Sequence, residues 1–292
     1  MRGGGHRRLR AGGDREARPP AVAREEGDGT GRLSVPLDAV LFDMDGVVTD
    51  TARAHAYAWK ALFDEFLAAW SRTHDDPFEP FDLRDYHALI DGKPRLDGVR
   101  DYLTAHGIAI PEGTPDDPSG LDTMHALARR KQDHFVEWLE TNPVEAFPGA
   151  VRLLQALRAR GVRTALFTSS RNADLVLDRA GVRALFDAKV DGNDLERLGL
   201  PGKPAPDVLL EAARRLGVPP ARAAAIEDAV AGVEAAARGG FALVVGVSRG
   251  ADEGALRDAG ADLVVHDLDE LRLGEDRRLT FDRALASPED RR

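Results

Sequence analysis

The stretch DAVLFDMDGVVTD, residues 38–50, decides the fold of this chain. Asp38–Phe42 is a short apolar run that leads directly into acidic residues, which is typical of a buried strand in a parallel sheet. Four later runs are also short and mostly apolar and predict four further strands: Val162–Thr168, Ala223–Ile226, Phe241–Val247 and Ala261–Val265.

Segments of helical periodicity alternate with these predicted strands. Ala150–Arg160, Asp207–Leu216 and Val230–Arg238 repeat apolar residues every three or four positions, and a glycine follows each segment. Alternation of strands and helices implies right-handed crossover connections. The sequence therefore predicts an α/β fold with a doubly wound, Rossmann-like parallel sheet.

One long region interrupts the alternation. From Thr51 to about Thr141 the sequence has helical periodicity and no convincing strand, and its strongest helices are Ala54–Trp70 and Leu121–Leu139. An insertion of this length after the first strand favours a separate helical domain over a single domain with an elaborate helical face. We predict a core domain from residues 36–50 and 142–273, and a helical domain from residues 51–141.

The two ends of the chain differ from its middle in composition. The whole chain of 292 residues has a net charge of -10, yet residues 1–35 carry eight arginines against five acidic residues. This segment has no hydrophobic periodicity and no apolar run of a secretory signal, so it predicts a disordered basic leader. A start codon upstream of the true domain explains it equally well. Residues 274–292 are charged and predict a flexible tail.

Composition also excludes several classes of protein. The absence of cysteine excludes disulfide scaffolds, thiolate nucleophiles and cysteine-ligated zinc. The longest uncharged stretch, Gly239–Ser248, is far shorter than the roughly 18 apolar residues of a membrane helix. An acidic balance argues against nucleic acid as a partner and suits a hard cation. We expect a monomer in the cytoplasm, with neither nucleic acid nor membrane as a partner.

Polar residues follow several of the predicted strands. In open α/β sheets, ligands bind beyond the carboxyl ends of the strands. Each of these groups, taken alone, has an ordinary explanation as a helix cap or loop residue. Their coincidence at one sheet edge favours a shared site, made of Asp43 and Asp45, Thr168–Asn172, Lys203, and Glu227 and Asp228.

Together these groups suit the transfer of a phosphoryl group. An aspartate can attack phosphorus and form an aspartyl-phosphate, and a second acid can handle the proton of the departing oxygen. Mg²⁺ offsets the repulsion between a carboxylate and a phosphate. A threonine hydroxyl and a lysine ammonium can hold the transferring oxygens.

These residues resemble the four motifs of the haloacid dehalogenase superfamily, in order, over roughly Ala39 to Leu271. The resemblance implies that Asp43 is the nucleophile and that Asp45 is the general acid/base, with its backbone carbonyl on Mg²⁺. It implies that Thr168 and Lys203 hold the phosphate, and that Glu227 and Asp228 complete the metal site. The helical insertion matches the cap domain of this superfamily. True dehalogenases lack the second aspartate and use no metal, so Asp45 and Asp228 argue against dehalogenation.

The cap resembles the β-phosphoglucomutase branch of the superfamily. In that branch a histidine at the position of His55 pairs with the general acid/base as the cap closes, and an arginine at the position of Arg95 grips the non-transferring phosphate. Asp91 stands where these mutases carry lysine, and Lys93 is expected to replace that charge. The resemblance predicts a substrate-binding set of Thr51, His55, Trp59, Gly92, Lys93, Arg95, Lys131, Ser169, Ser170, Arg171 and Asn172.

The implied reaction interconverts β-glucose 1-phosphate and glucose 6-phosphate through a phosphorylated Asp43 and a β-glucose 1,6-bisphosphate. A sugar-phosphate phosphatase, in which water completes the cycle, is the alternative within the same fold. A regulatory module with a phosphorylatable aspartate is the alternative from another class. Such a receiver is a single domain without a helical insertion, so both the insertion and Asp45 favour catalysis.

Overall fold

The computed structural model describes residues 36–74, 77, 79–249 and 252–281. The predicted leader, residues 1–35, lies outside the described residues, as does the predicted tail beyond residue 281.

A six-stranded parallel sheet forms the centre of the molecule, in the order β3-β2-β1-β4-β5-β6. The prediction of a doubly wound parallel sheet is confirmed. The chain order leaves β1 in the middle of the sheet, between β2 and β4. The strands are β1 (Ala39–Asp43), β2 (Arg163–Phe167), β3 (Ala188–Val190), β4 (Ala223–Glu227), β5 (Leu243–Val247) and β6 (Leu263–Val265).

Helices cover both faces of the sheet, so the central strands are buried on both sides. Successive residues of β1 point to opposite faces, and Val40 and Phe42 belong to one hydrophobic cluster while Ala39 and Leu41 belong to the other. The described helices after residue 142 are α5 (Pro148–Ala159), α6 (Ala173–Arg179), α7 (Gly192–Leu198), α8 (Asp207–Leu216), α9 (Val230–Arg238) and α10 (Glu253–Asp258).

The inserted region forms helices with a hydrophobic core of their own. Within the described part of residues 51–141 there are helices and loops but no strand, as the sequence predicts. The elements are α1 (Ala52–His74), α2 (Leu83–Asp85), a π-helical turn (Tyr86–Ile90), α3 (Arg95–Ala105) and α4 (Met124–Thr141). Large apolar side chains of α1 pack against α3 and α4. They form an aromatic cluster that includes Trp59, Phe63, Phe66, Phe81 and Tyr102. The division into a core domain and a cap at residues 51–141 stays a prediction.

Two parts of the fold differ from the sequence predictions. The short strand β3 was not among the predicted strands. Near the end of the chain, β7 (Leu271–Leu273) pairs antiparallel with β8 (Leu279–Phe281). The prediction of a flexible tail is therefore wrong for residues 274–281. Leu279 is buried in the main hydrophobic cluster, and the Arg277 carbonyl accepts a hydrogen bond from the Leu37 amide at 2.9 Å.

Among the described residues, no helix has the length and apolar character needed to cross a membrane.

Candidate active site

The polar residues predicted from the strand ends meet at one edge of the sheet. Parallel register places Asp43 beside Phe167, so Thr168 follows directly next to it, and Phe42 is beside Ile226, so Glu227 follows on the other side. The cap lies over this edge, and the two enclose a cavity of about 820 Å³ lined by residues of both.

Lys203 joins two carboxylates at the bottom of the cavity. Its Nζ donates to Asp43 Oδ1 at 2.7 Å and to Glu227 Oε2 at 2.8 Å, and all three side chains are at most 5% exposed. Burial alone would lower the pKa of Lys203, but the two carboxylates raise it above its ordinary value. The lysine is therefore a fixed positive charge next to Asp43.

Three carboxylates, two of them buried and that of Asp228 partly buried, form an acidic cluster in which one oxygen each of Asp43, Glu227 and Asp228 lies within 4.8 Å of the others. Burial raises the pKa of Asp43 well above its ordinary value, and Glu227 raises it further. Burial raises the pKa of Asp228 as well, with Asp91 and Glu227 adding to the shift. One lysine cannot neutralise three carboxylates, so this set of oxygen donors fits a hard divalent cation.

Gly46 allows the first acidic loop to approach Asp228 closely. Its φ is +83°, and a Cβ at this position would lie 1.8 Å from Asp228 Oδ2. Any side chain here would both strain the backbone and displace the carboxylate. The glycine of the DMDG motif is thus required by the shape of the acidic cluster.

The Asp45 carboxylate contacts the beginning of the cap. The Thr51 hydroxyl donates to Asp45 Oδ1 at 2.5 Å, and His55 Nε2 lies 3.4 Å from the same oxygen. Lys131 Nζ is 2.7 Å from the other ring nitrogen of His55. The Asp45 carboxylate is thus contacted by the Thr51 hydroxyl and the His55 imidazole, and the imidazole is contacted in turn by the Lys131 amine.

Burial and mutual interaction shift the pKa values of Asp45, His55 and Lys131. Burial would raise the pKa of Asp45, but His55 and Thr51 bring it below its ordinary value. Burial lowers the pKa of His55, and Lys131 lowers it further. Burial also lowers the pKa of Lys131 well below its usual range. At neutral pH the arrangement therefore favours an ionised Asp45, which can accept a proton.

The loop after β2 is held by its own hydroxyl groups. Thr168 Oγ1 accepts from the Ser170 amide at 3.0 Å, and Ser170 Oγ accepts from the Asn172 amide at 3.2 Å. Ser169 Oγ donates across to the Gly92 carbonyl of the cap at 2.8 Å. The loop thus lines the cavity on the core side and contacts the cap directly.

Arg95 is a partly buried cation on the cap side of the same cavity. It begins α3, its Nη1 donates to the Ala128 carbonyl at 3.4 Å, and its Nη2 donates to the Gln132 side chain. Neither acceptor is negatively charged. Burial lowers its pKa to about 10, and the guanidinium of Arg171 contributes to this shift. A partly buried guanidinium held by neutral acceptors is suited to bind an anion.

Lys93 and Trp59 line the cavity, but their contacts differ from the others. The Lys93 ammonium is paired with Asp101 at 2.7 Å, so its charge is already engaged. Trp59 stacks on Phe63 with ring centroids 5.6 Å apart and belongs to the hydrophobic core of the cap. A direct role for either residue in substrate binding stays a prediction, as it does for the rest of the predicted set.

Two residues that line the cavity are not in the predicted substrate-binding set. Gln132 was not in the predicted set, although it directly follows Lys131 and is one helical turn after Ala128 on α4. Residues four positions apart share one face of a helix, so this spacing could have indicated that Gln132 lies near Ala128. Asp91 brings a further carboxylate from the cap, close enough to raise the pKa of Asp228. Its sequence position gave no indication that it would approach the acidic cluster.

A family model described as haloacid dehalogenase-like hydrolase matches residues 37–240. The chain belongs to this family. Membership agrees with the resemblance that the four motifs carry, and the match extends across the cap as well as most of the core.

Within the haloacid dehalogenase-like family, the chain is similar to proteins named β-phosphoglucomutase. It is 46% identical to that of Mycobacterium bovis over 243 residues, which cover 82% of this chain and 93% of the relative. It is 34% identical to that of Bacillus subtilis over 237 residues, covering 81% and 92%. A "Phosphorylated carbohydrates phosphatase" of Thermotoga maritima is 28% identical over 232 residues, covering 77% and 92%.

Solved structures share the fold of this chain. A β-phosphoglucomutase from Clostridium difficile superposes with a TM-score of 0.63 at 26% identity, covering 81% of this chain and 93% of that one. A hydrolase from Pseudomonas syringae gives a TM-score of 0.63 at 25% identity, covering 80% and 94%.

Proposed function

We propose that this protein is a β-phosphoglucomutase that interconverts β-D-glucose 1-phosphate and glucose 6-phosphate. The observation that carries the proposal is the 46% identity to a protein of that name, over 93% of its length. The cavity supports it, because groups suited to a phosphate line it from both parts of the molecule, with Lys203 and Thr168 in the core and Arg95 in the cap. A mutase needs two such sets of groups, since its intermediate carries two phosphates.

The acidic cluster is proposed to hold Mg²⁺. Asp43, Glu227 and Asp228, with the backbone carbonyl of Asp45, are the residues that would bind it. Bound there, Mg²⁺ would offset the negative charge of the cluster and of the incoming phosphate. Lys203 keeps Asp43 and Glu227 in place through its two hydrogen bonds.

In the proposed cycle, Asp43 carries a phosphoryl group and β-glucose 1-phosphate enters the cavity. The sugar 6-hydroxyl gives its proton to Asp45 while its oxygen attacks phosphorus, and the bond from phosphorus to the Asp43 oxygen breaks. The product is β-glucose 1,6-bisphosphate. It turns within the cavity so that the phosphate on carbon 1 approaches Asp43.

The second transfer reverses the first. An Asp43 carboxylate oxygen attacks the phosphate on carbon 1, the bond to the anomeric oxygen breaks, and Asp45 returns its proton to that oxygen. Glucose 6-phosphate leaves and Asp43 is phosphorylated again. The contacts of Asp45 with Thr51 and His55 support this role, since they orient the carboxyl group and, by lowering its pKa, keep it ionised before the first transfer.

Exclusion of water separates this reaction from hydrolysis, because an aspartyl-phosphate that meets water is lost as inorganic phosphate. The contacts between cap and core support such exclusion. They include Ser169 with Gly92, and Gly202 against Pro94, where a Cβ on the glycine would lie 2.0 Å from the proline ring.

Product analysis tests the proposal. Purified protein is mixed with Mg²⁺, β-glucose 1-phosphate and a trace of the bisphosphate as primer. We expect steady formation of glucose 6-phosphate with little inorganic phosphate. Stoichiometric phosphate release would instead identify a sugar-phosphate phosphatase, the second candidate, which the similarity to the Thermotoga maritima phosphatase supports. The monomeric state, the cytoplasmic location and the absence of nucleic-acid or membrane partners stay predictions.

A further inference from the structure

A pair of side-chain amides joins the cap to the core. Gln132 lies on α4 of the cap, and Asn172 lies at the start of α6, directly after the loop that follows β2. Gln132 Nε2 donates to Asn172 Oδ1 at 2.8 Å, and Asn172 Nδ2 donates to Gln132 Oε1 at 3.1 Å. Because each amide both donates and accepts, the two side chains fix each other's orientation.

The same Gln132 oxygen also holds Arg95, since Oε1 accepts a hydrogen bond from Arg95 Nη2. Gln132 therefore contacts the cap cation and the core loop with a single amide group. The amide is neutral, so it orients the guanidinium without cancelling its charge. A carboxylate in this place would form an ion pair with Arg95 and compete with an anion.

The link opposes a repulsion between cap and core. Arg95 of the cap and Arg171 of the core loop line the same cavity, and each carries a positive charge. Arg171 precedes Asn172 directly, so the amide pair lies next to the two like charges. Arg171 is also paired with Glu196 at 3.2 Å, which weakens the repulsion, but its charge still lowers the pKa of Arg95, so without an anion between them the two guanidiniums disfavour the closed arrangement.

We propose that Gln132 is a positioning residue that aims Arg95 at the cavity and, through Asn172, fastens the closed cap to the core. This inference rests on the proposed function, in which Arg95 binds the phosphate that is not transferred. One side chain then couples the grip on that phosphate to the exclusion of water. Loss of Gln132 should convert part of the mutase turnover into hydrolysis.

The first test measures inorganic phosphate released per glucose 6-phosphate formed, in wild type, Gln132→Ala, Asn172→Ala and the double variant. Since a small displacement of positioning groups can reduce a rate about 100-fold, we expect Gln132→Ala to lower kcat/KM for isomerisation by about 10- to 100-fold and to raise the phosphate ratio about 10-fold. Because the two amides act as one pair, the double variant should be no worse than the more impaired single variant. Additive losses, or an unchanged phosphate ratio, would overturn the inference.

Two controls accompany this test. Gln155→Ala makes the same substitution at an exposed position of α5 and should leave both readouts at wild-type values. Gln132→Glu keeps an acceptor for Arg95 but cannot donate to Asn172 and pairs with the guanidinium, so it should raise KM for the sugar phosphate more than it lowers kcat. A change in kcat alone would contradict the role assigned to Arg95 orientation.

A second test does not depend on the reaction. The chain has no cysteine, so a fluorescent donor and acceptor can be placed at Tyr57→Cys in the cap and Leu198→Cys in the core, both of which are exposed. Gln132→Ala should shift the transfer efficiency of the labelled protein, and Gln155→Ala should not. An identical efficiency in wild type and Gln132→Ala overturns the fastening role even if the wild type isomerises. A wild type that fails to isomerise overturns the proposed function and leaves this measurement valid.

Discussion

Asp43 and Asp45 are two residues apart in the chain, but their carboxylates are held by different parts of the molecule. Asp43 is hydrogen-bonded to Lys203 inside the core, whereas Asp45 is hydrogen-bonded to Thr51 and lies next to His55 where the cap begins. Burial and Glu227 raise the pKa of Asp43, while His55 and Thr51 lower that of Asp45 against the effect of burial. Two neighbouring acids with opposite shifts are suited to two different tasks.

The role of Asp43 as nucleophile predicts that Asp43→Asn removes turnover. The amide cannot form the aspartyl-phosphate, so isomerisation and hydrolysis of a small phosphate ester should both fall by about 10⁴-fold or more. Rates are measured with Mg²⁺ present, and circular dichroism checks that the variant is folded. Activity equal to that of the wild type on every phosphate ester tested would show that the catalytic assignment is wrong.

The acidic cluster predicts that Mg²⁺ stabilises the protein and that its removal makes stability depend on pH. The pKa values of Asp43 and Asp228 are raised above the ordinary 3.8 in the folded state, so folding favours their protonated forms. Their contribution is present below pH 3.8 and is lost as pH rises through the folded-state pKa values. In the presence of EDTA, the melting temperature should therefore decrease as the pH is raised through those pKa values.

Addition of Mg²⁺ should reverse this decrease. It should raise the free energy of unfolding by about 2.7 kcal/mol when its concentration is 100 times the dissociation constant. Melting temperatures are compared across pH with EDTA, Mg²⁺ and Na⁺ at equal ionic strength. A Mg²⁺ effect no larger than that of Na⁺ would argue against a specific cation site.

The close approach of Gly46 to Asp228 predicts a specific effect of Gly46→Ala. The new Cβ must push the Asp228 carboxylate away, and the positive φ adds a backbone cost of about 1–2 kcal/mol. We expect the affinity for Mg²⁺, measured by calorimetry, to fall about 10-fold or more, because loss of the groups that orient metal ligands has an effect of that size.

Gly161→Ala is the matched control for this substitution. Gly161 has a similar φ of +66°, but a Cβ there would have nothing within 4 Å. Gly161→Ala should lower the melting temperature because of the backbone cost. Its affinity for Mg²⁺ should equal that of the wild type. Equal loss of Mg²⁺ affinity in both variants would mean that the contact with Asp228 is not responsible.

The position of Arg95 predicts that Arg95→Ala affects the two activities differently. Two charge-assisted hydrogen bonds to a phosphate are worth about 1.5–3 kcal/mol each, so kcat/KM for isomerisation should fall about 100-fold or more. Hydrolysis of p-nitrophenyl phosphate, which has a single phosphate for the core, should change by less than about threefold. Equal losses on both substrates would remove Arg95 from the cap phosphate site.

Arg95→Lys is informative beside it. The ammonium keeps the positive charge but cannot bind a phosphate through two parallel hydrogen bonds, and it cannot reproduce the contacts with Ala128 and Gln132 together. We expect an intermediate loss of isomerisation, measured in the same assay.

Much of the core could be predicted from the sequence because its signals are local. A buried parallel strand needs a continuous apolar run, and β1 and β4 each have five buried residues in a row. The residues at the ends of such strands must meet at one edge, which is why the sequence alone groups Asp43, Thr168 and Asp228 in one site. The helices α8 and α9 have the predicted bounds, since each is followed by a glycine that ends the helical pattern.

Short or terminal elements were not readable in this way. β3 has only three residues and one of them is a lysine, so its strand character comes from pairing with β2. The strand β8 lies in a charged segment and exists through its pairing with β7 and the burial of Leu279. Propensity over so few residues is weak, and the tertiary partners decide the outcome.

The sequence by itself determined the alternation of the long strands and helices, the helical insertion and the identity of the acids and cations at the sheet edge. Only the tertiary structure decided how these charges pair: Lys93 with Asp101, Asp91 near Asp228, and Gln132 with both Arg95 and Asn172. The reason is physical. Strand and helix patterns depend on residues a few positions apart, whereas a hydrogen bond between cap and core depends on how two surfaces 40 residues apart in sequence come together, and no local pattern encodes that distance.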